Sequence, residues 1–137
     1  MTNTYYIDMD GVLADFFAVE NAVKRCVFEK HFFLNLAPIT ANVNALRAFL
    51  ADHDNVFILS TSKDENTDAD KVAWLAKYIP EMQADHIIFS RTNNKKKYMV
   101  TDNGILIDDN AKNCHSWELK EGNVAYHVTD VIAHYLA

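Results

Sequence analysis

The sequence predicts an α/β fold with five short strands in a parallel sheet, and three observations carry that expectation. Short β-favouring runs alternate with stretches of helical spacing along the whole 137 residues. One run, Asn55 to Ser60, is apolar almost throughout, as in a strand covered on both faces. The length is that of one ordinary domain, with no repeat, low-complexity tract or linker to divide it.

Each element follows in order. Thr4 to Asp8 is a β-favouring run that ends in an acid. Val12 to Lys30 is a mixed stretch with helical spacing at Phe16, Val19, Val23 and Val27. Ala41 to Ala51 repeats Val43, Leu46, Phe49 and Leu50 on one helical face. Asn55 to Ser60 is the second strand. Asp68 to Tyr78 is helical, with Val72, Leu75 and Ala76 on one side and Pro80 just beyond its end. Ile87 to Phe89, Gly104 to Asp108 and Val124 to Val128 are the third, fourth and fifth strands. Asp130 to Tyr135 is a last helix, capped by Thr129 or Asp130.

Composition narrows the function. Half of the residues are hydrophobic and 23% are charged, as in a soluble globular protein. No apolar run is long enough to span a membrane. The start, Met1-Thr2-Asn3-Thr4-Tyr5, lacks the basic and apolar regions of a secretory signal, so the expected location is the cytoplasm. The net charge of −6 gives no field to hold a polyanion, so nucleic acid is not the expected partner. Cys26 and Cys114 have no metal-ligand or redox spacing and are expected as free thiols. The six histidines form no ligand motif and none is assigned to catalysis.

Ligands of open α/β sheets bind beyond the carboxyl ends of the strands. In this chain those ends are acidic and hydroxylic. Asp8 closes strand one and Asp10 follows it. Ser60, Thr61 and Ser62 close strand two, and Asp108 and Asp109 close strand four. Four carboxylates at one edge repel unless a cation sits among them. A hard cation with oxygen ligands, Mg²⁺, fits that set. Such a site, faced by hydroxyls and a lysine, suits phosphoryl transfer.

These residues also carry a family resemblance. Asp8-Met9-Asp10-Gly11-Val12-Leu13-Ala14-Asp15-Phe16 resembles the first motif of the haloacid dehalogenase (HAD) superfamily, and more narrowly that of the 5′(3′)-deoxyribonucleotidases and their short bacterial and phage relatives. Phe57 to Ser62 resembles the second motif, Lys95-Lys96-Lys97-Tyr98 lies where the third-motif lysine belongs, and Ile105 to Asp109 resembles the fourth. Asn113, Trp117 and Gly122 fall where the short relatives carry an Asn, a Trp and a Gly pair. The motif order, with the Asp-x-Asp first and the Asp pair last, excludes the receiver domains of response regulators.

The resemblance implies a HAD-like (Rossmannoid) sheet in one domain over 1–137, with a minimal helical cap inserted at about 12–40. It implies a Mg²⁺-dependent phosphomonoesterase acting on a nucleotide, preferably a deoxyribonucleoside monophosphate, through an aspartyl-phosphate. Asp8 is the expected nucleophile and Asp10 the general acid and base. Asp8, the main-chain carbonyl of Asp10 and Asp108 are the expected metal ligands, and Asp109 binds a metal water or orients a lysine. Ser60 binds a phosphate oxygen with help from the Thr61 N–H, and Thr61 rivals Ser60 for that place. Lys95 is chosen over Lys96 and Lys97 as the motif lysine. Phe16 is the aromatic expected against the base, whereas Phe28 and Phe33 hold cap to core. The alternatives are a phosphatase for a sugar phosphate or a nucleic-acid end, and a non-catalytic module on the same fold. A homodimer is left open.

Overall fold

The computed structural model describes residues 3–128 and 131–136. Five strands form one all-parallel sheet in the order β3-β2-β1-β4-β5. They are β1 (Thr4–Ile7), β2 (Val56–Thr61), β3 (Ile87–Ser90), β4 (Gly104–Asp108) and β5 (Val124–His127). The helices are α1 (Ala22–Phe28), α2 (Thr40–Leu50), α3 (Glu65–Tyr78) and α4 (Ala111–Glu118). Single 3₁₀ turns occupy Phe33–Asn35, Ala84–His86, Lys95–Tyr98 and Ile132–Tyr135.

Side chains along a strand alternate between faces, and the core divides accordingly. Ile7, Ile58 and Ile107 point to the face covered by Val43, Leu46 and Phe49 of α2 and by Trp74 and Leu75 of α3. Tyr6, Leu59 and Leu106 point to the opposite face, where Trp117 of α4 packs. Both faces are covered, which is why the central strands are apolar throughout.

The chain leaves β1 toward β2 and β3, then crosses back to β4 and β5. The sheet therefore has its topological switch point between β1 and β4, the place where open α/β sheets bind their ligands. Asp8 follows β1 and Asp108 ends β4 at that place.

The structure departs from expectation in four elements. The helical spacing from Val12 to Lys30 yields a helix only at Ala22–Phe28, and Val23 and Val27 are exposed. The residues before it are tied instead to the chain ahead of α2, through Asp15 N to Ala37 O and Ile39 N to Leu13 O. On α3 the buried face is Thr67, Lys71, Trp74 and Leu75, while Val72 is 40% exposed. Helix α4 is absent from the periodicity because only Cys114 and Trp117 of its eight residues are buried. The last expected helix is a 3₁₀ turn, and its expected caps, Thr129 and Asp130, lie outside the described residues. Cys26 and Cys114 are free, as expected.

Candidate active site

The site is built from the switch point outward. After Ile7 the chain turns through Gly11, whose φ of +84° is one that glycine adopts without strain. Space also demands glycine there. A Cβ on Gly11 would lie 2.0 Å from Asp109 Oδ2 and 3.1 Å from the Phe17 ring. Gly11 thus lets the β1 turn and the β4 end close on each other.

Lysine 95 stands at the centre. The 3₁₀ turn Lys95–Tyr98 directs it inward, and it is 3% exposed. Its Nζ donates to Asp8 Oδ1 and to Asp108 Oδ2, each at 2.8 Å. Of the three consecutive lysines it is the one that reaches the acids. Lys96 Nζ turns to the carbonyl and hydroxyl of Ser116, and Lys97 is exposed. Asp108, rather than Asp109, pairs with the lysine. Asp108 also accepts from the Asn110 N–H at 3.0 Å and from the Asn113 amide at 3.1 Å. Carboxylate oxygens of Asp8, Asp108 and Asp109 lie within 4.8 Å of one another.

The electrostatics show an excess of negative charge. Burial pushes the Asp8 carboxyl well above its usual range, and Asp108 and Asp10 push it further against the pull of Lys95. Burial likewise raises Asp109. Burial opposes the charge on Asp108 too, but Lys95, the Asn110 N–H and the Asn113 amide hold it below its usual value. Lys95 is raised: burial disfavours its charge, but the attraction of Asp8 and Asp108 is larger.

The Asp10 side chain stands apart from this trio. Its Oδ2 accepts from Lys71 Nζ at 2.8 Å, and its Oδ1 has no hydrogen-bond partner among the described residues. Lys71 also donates to Ser60 Oγ at 2.9 Å. Ser60 and Thr61, adjacent on β2, point to opposite sides, as strand alternation requires. Ser60 is buried toward Lys71, whereas Thr61 Oγ1 bonds Ser90 Oγ on β3 at 3.0 Å.

The aromatic residues are arranged differently from expectation. Phe16 is 8% exposed, with Phe33 stacked on it and Phe17 and Phe32 against its edges. Phe33 covers one face of its ring. Phe17, next in sequence, is 68% exposed and lies against Gly11 beside the acids. Phe33 does pack onto the aromatic cluster, but Phe28 is 79% exposed and holds nothing to the core.

Sequence reasoning missed Lys71 and Phe17, and it quoted Asn113 without placing it at the site. Lys71 had a signal. It sits four residues after Thr67 and three before Trp74, on the stripe that α3 buries. A lysine on a buried stripe is costly unless it meets an acid.

The donor set fits a divalent cation. Four carboxylates, Asp8, Asp10, Asp108 and Asp109, face two ammonium groups, Lys71 and Lys95. The balance of two formal negative charges is that of one Mg²⁺, offered by hard oxygens. Burial is the main cause of the upward shifts of Asp8 and Asp109, and the neighbouring carboxylate of Asp108 adds to both.

The model of the family described as 5′ nucleotidase, deoxy (pyrimidine), cytosolic type C protein (NT5C) matches residues 18–130. The chain belongs to this family. Its fold is accordingly a HAD-like α/β fold. The match includes Ser60, Lys95, Asp108 and Asp109, and it begins after Asp8 and Asp10. No curated protein sequence matches the chain. Among solved structures, a chain of the "Structure of Pnkp1/Rnl/Hen1 complex" is similar, with a TM-score of 0.65 and 15% identity. The likeness covers 92% of this chain and 45% of that one, so this chain spans less than half the length of that relative. At such identity the two share a fold. No helix among the described residues is long and apolar enough to cross a membrane.

Proposed function

We propose that the chain is a Mg²⁺-dependent phosphomonoesterase that dephosphorylates nucleoside monophosphates, deoxyribonucleoside monophosphates before others, through an aspartyl-phosphate on Asp8. One observation carries the reading. A buried lysine ties Asp8 to Asp108 at the switch point of the sheet, with Asp109 within 4.8 Å and Asp10 two residues beyond the nucleophile. Family membership supports the substrate class. The family description also supports a cytoplasmic location.

The residues divide the work as follows. Asp8 attacks phosphorus, a P–O bond forms to its carboxylate, and the P–O bond to the nucleoside breaks. Asp10 gives a proton to the departing alkoxide. As a carboxylate it then takes a proton from the water that attacks the phosphoaspartate. The bond between phosphorus and Asp8 breaks, and inorganic phosphate leaves. The carboxylates of Asp8, Asp108 and Asp109, with the Asp10 main-chain carbonyl, would hold the Mg²⁺, which when bound offsets charge on the phosphoryl oxygens. Lys95 adds positive charge beside Asp8, and Ser60 donates its hydroxyl proton to a phosphoryl oxygen, aided by the Thr61 N–H.

The segment 12–40 acts as a minimal cap on a single domain. Its aromatic cluster buries Phe16 and presents Phe17 at the acids. Phe16 therefore serves substrate binding by holding Phe17, whose flat ring accepts a base by stacking.

The test is phosphate release from a panel of deoxyribo- and ribonucleoside monophosphates, with Mg²⁺ and with EDTA. Release from deoxynucleotides that EDTA abolishes supports the reading. Release only from a 5′- or 3′-phosphorylated oligonucleotide replaces it with end processing. No release from any monoester overturns it.

A further inference from the structure

Lys71 is fully buried on the inner face of α3, ten residues or more in sequence from every group it touches. Its ammonium has three protons and meets three acceptors: Asp10 Oδ2 at 2.8 Å, Ser60 Oγ at 2.9 Å and the Thr61 carbonyl at 2.9 Å. Its donor capacity is used up, so none is left for a phosphate. The Phe33 ring centroid, 4.5 Å from Nζ, closes another side. The stem is held in register by its helix. One turn earlier the Thr67 N–H is capped by Asp64, and one turn later Trp74 Nε1 donates to the Leu36 carbonyl at 2.8 Å.

These contacts fix two neighbours in one state each. Asp10 is anchored through Oδ2, which leaves Oδ1, without a partner among the described residues, as the oxygen free to carry or accept a proton. Ser60 accepts from Lys71 at Oγ, so its own hydroxyl proton must point elsewhere. A serine with a free rotor would spend part of its time with that proton turned away from substrate. We propose that Lys71 is a positioning residue for catalysis, which holds Asp10 and Ser60 so that Asp10 Oδ1 and the Ser60 hydroxyl proton face the phosphoryl group. The proposal rests on the roles given above to Asp10 and Ser60, and it adds the group that orients both.

A residue that acts through two others loses its effect when they are removed, whereas a residue that only supports the fold does not. The experiment compares Lys71→Met in three backgrounds, namely wild type, Asp10→Asn and Ser60→Ala, using hydrolysis of a deoxynucleoside monophosphate with saturating Mg²⁺. Misplacement of reacting groups by about 1 Å costs on the order of 100-fold, so Lys71→Met should lower kcat by about 30- to 100-fold. KM should stay within about threefold, because Lys71 makes no bond to substrate in this account. In each of the other backgrounds the loss should shrink to under about tenfold.

Lys71→Met alone leaves Asp10 without its cation and is the variant at risk of not folding. Asp10→Asn combined with Lys71→Met leaves no lone charge and keeps similar volumes, so its comparison with Asp10→Asn stands by itself. Equal losses in all backgrounds, a rise in KM at constant kcat, or a loss above about 30-fold within the Asp10→Asn background would each overturn the proposal. Wild-type protein that releases no phosphate overturns the nucleotidase reading and the role of Lys71 with it. Wild-type activity with equal losses overturns the role of Lys71 alone.

Discussion

Replacing Lys95 by methionine keeps the length and apolar volume of the side chain and removes its charge. In the native site that charge lies 2.8 Å from both Asp8 Oδ1 and Asp108 Oδ2, and the two acids are 8% and 0% exposed. Without it, carboxylates within 4.8 Å of each other face one another directly, and two unit charges at that distance repel by about 3.5 kcal/mol at an effective dielectric of about 20. Breaking a buried ion pair by removing one partner costs about 3–5 kcal/mol in other proteins, which agrees. The metal-free variant should therefore be less stable by about 3–5 kcal/mol at pH 7.5, a fall in Tm of roughly 10–20 °C.

Two dependences distinguish this cause from a packing defect. Burial raises the Asp8 carboxyl above its unfolded value, so the folded state binds the proton more tightly than the unfolded state. A raised carboxyl stabilises below its unfolded pKa and loses that contribution as pH rises through the folded one. Lys95→Met strengthens the effect, so its deficit should shrink as the pH is lowered from 7.5 toward 5. Millimolar Mg²⁺ should also restore part of the lost stability, by replacing one cation with another. The assay is urea unfolding of both proteins at several pH values, in EDTA and in Mg²⁺. A deficit that is the same at all pH values and unmoved by Mg²⁺ would refute the electrostatic argument.

Other outcomes follow from the same geometry. Asp8→Asn should abolish turnover and leave metal-free stability level or higher, because a raised, buried carboxyl becomes a neutral amide; turnover near the wild-type rate rules out Asp8 as nucleophile. Asp10→Asn should slow nucleotide hydrolysis by about 10² to 10⁴, with a smaller loss for an aryl phosphate whose leaving group needs no proton. Equal losses for the two substrates would contradict the acid role. Phe17→Ala should raise KM for a nucleotide and leave KM for a small aryl-free monoester unchanged, at little cost in stability, because Phe17 is 68% exposed. Phe16→Ala should instead lower stability by about 3–5 kcal/mol, as large-to-small changes in a core do. A KM effect for Phe16→Ala in stable protein, with none for Phe17→Ala, would return the base contact to Phe16.

The sheet was visible in the sequence because its central strands are buried on both faces. Val56 to Leu59 and Ile105 to Ile107 need apolar residues throughout, and no solvent-facing pattern dilutes them. The acids at the strand ends were visible because a strand has a definite end and ligands bind beyond it. What stayed hidden depends on contacts across the chain. The turns after Asp10 are fixed by pairing with Ala37 and Ile39, so the spacing of Phe16, Val19 and Val23 suggested a longer helix than the one that forms. Helix α4 buries two residues and leaves the rest to solvent, too narrow a stripe for periodicity to find. Lys71 was hidden by its type. Counted as polar, it moved the apparent face of α3 to Val72, and only its tie to Asp10 in the fold explains why a lysine is buried. Phe16 and Phe17 are chemically alike, and the fold alone decides which ring is covered.

In the proposed reaction Asp8 carries the phosphoryl group. Mixing the protein with Mg²⁺ and a deoxynucleoside monophosphate, quenching in acid within milliseconds, and reducing with borohydride converts a phosphoaspartate to homoserine. Peptide mass spectrometry then locates it. The account predicts homoserine at position 8, in amounts that rise in Asp10→Asn when an aryl phosphate is the donor, because that leaving group needs no proton and only dephosphorylation is slowed. Hydrolysis of the nucleotide with no modification at Asp8 in either protein, or with the modification at Asp10, Asp108 or Asp109, would contradict it.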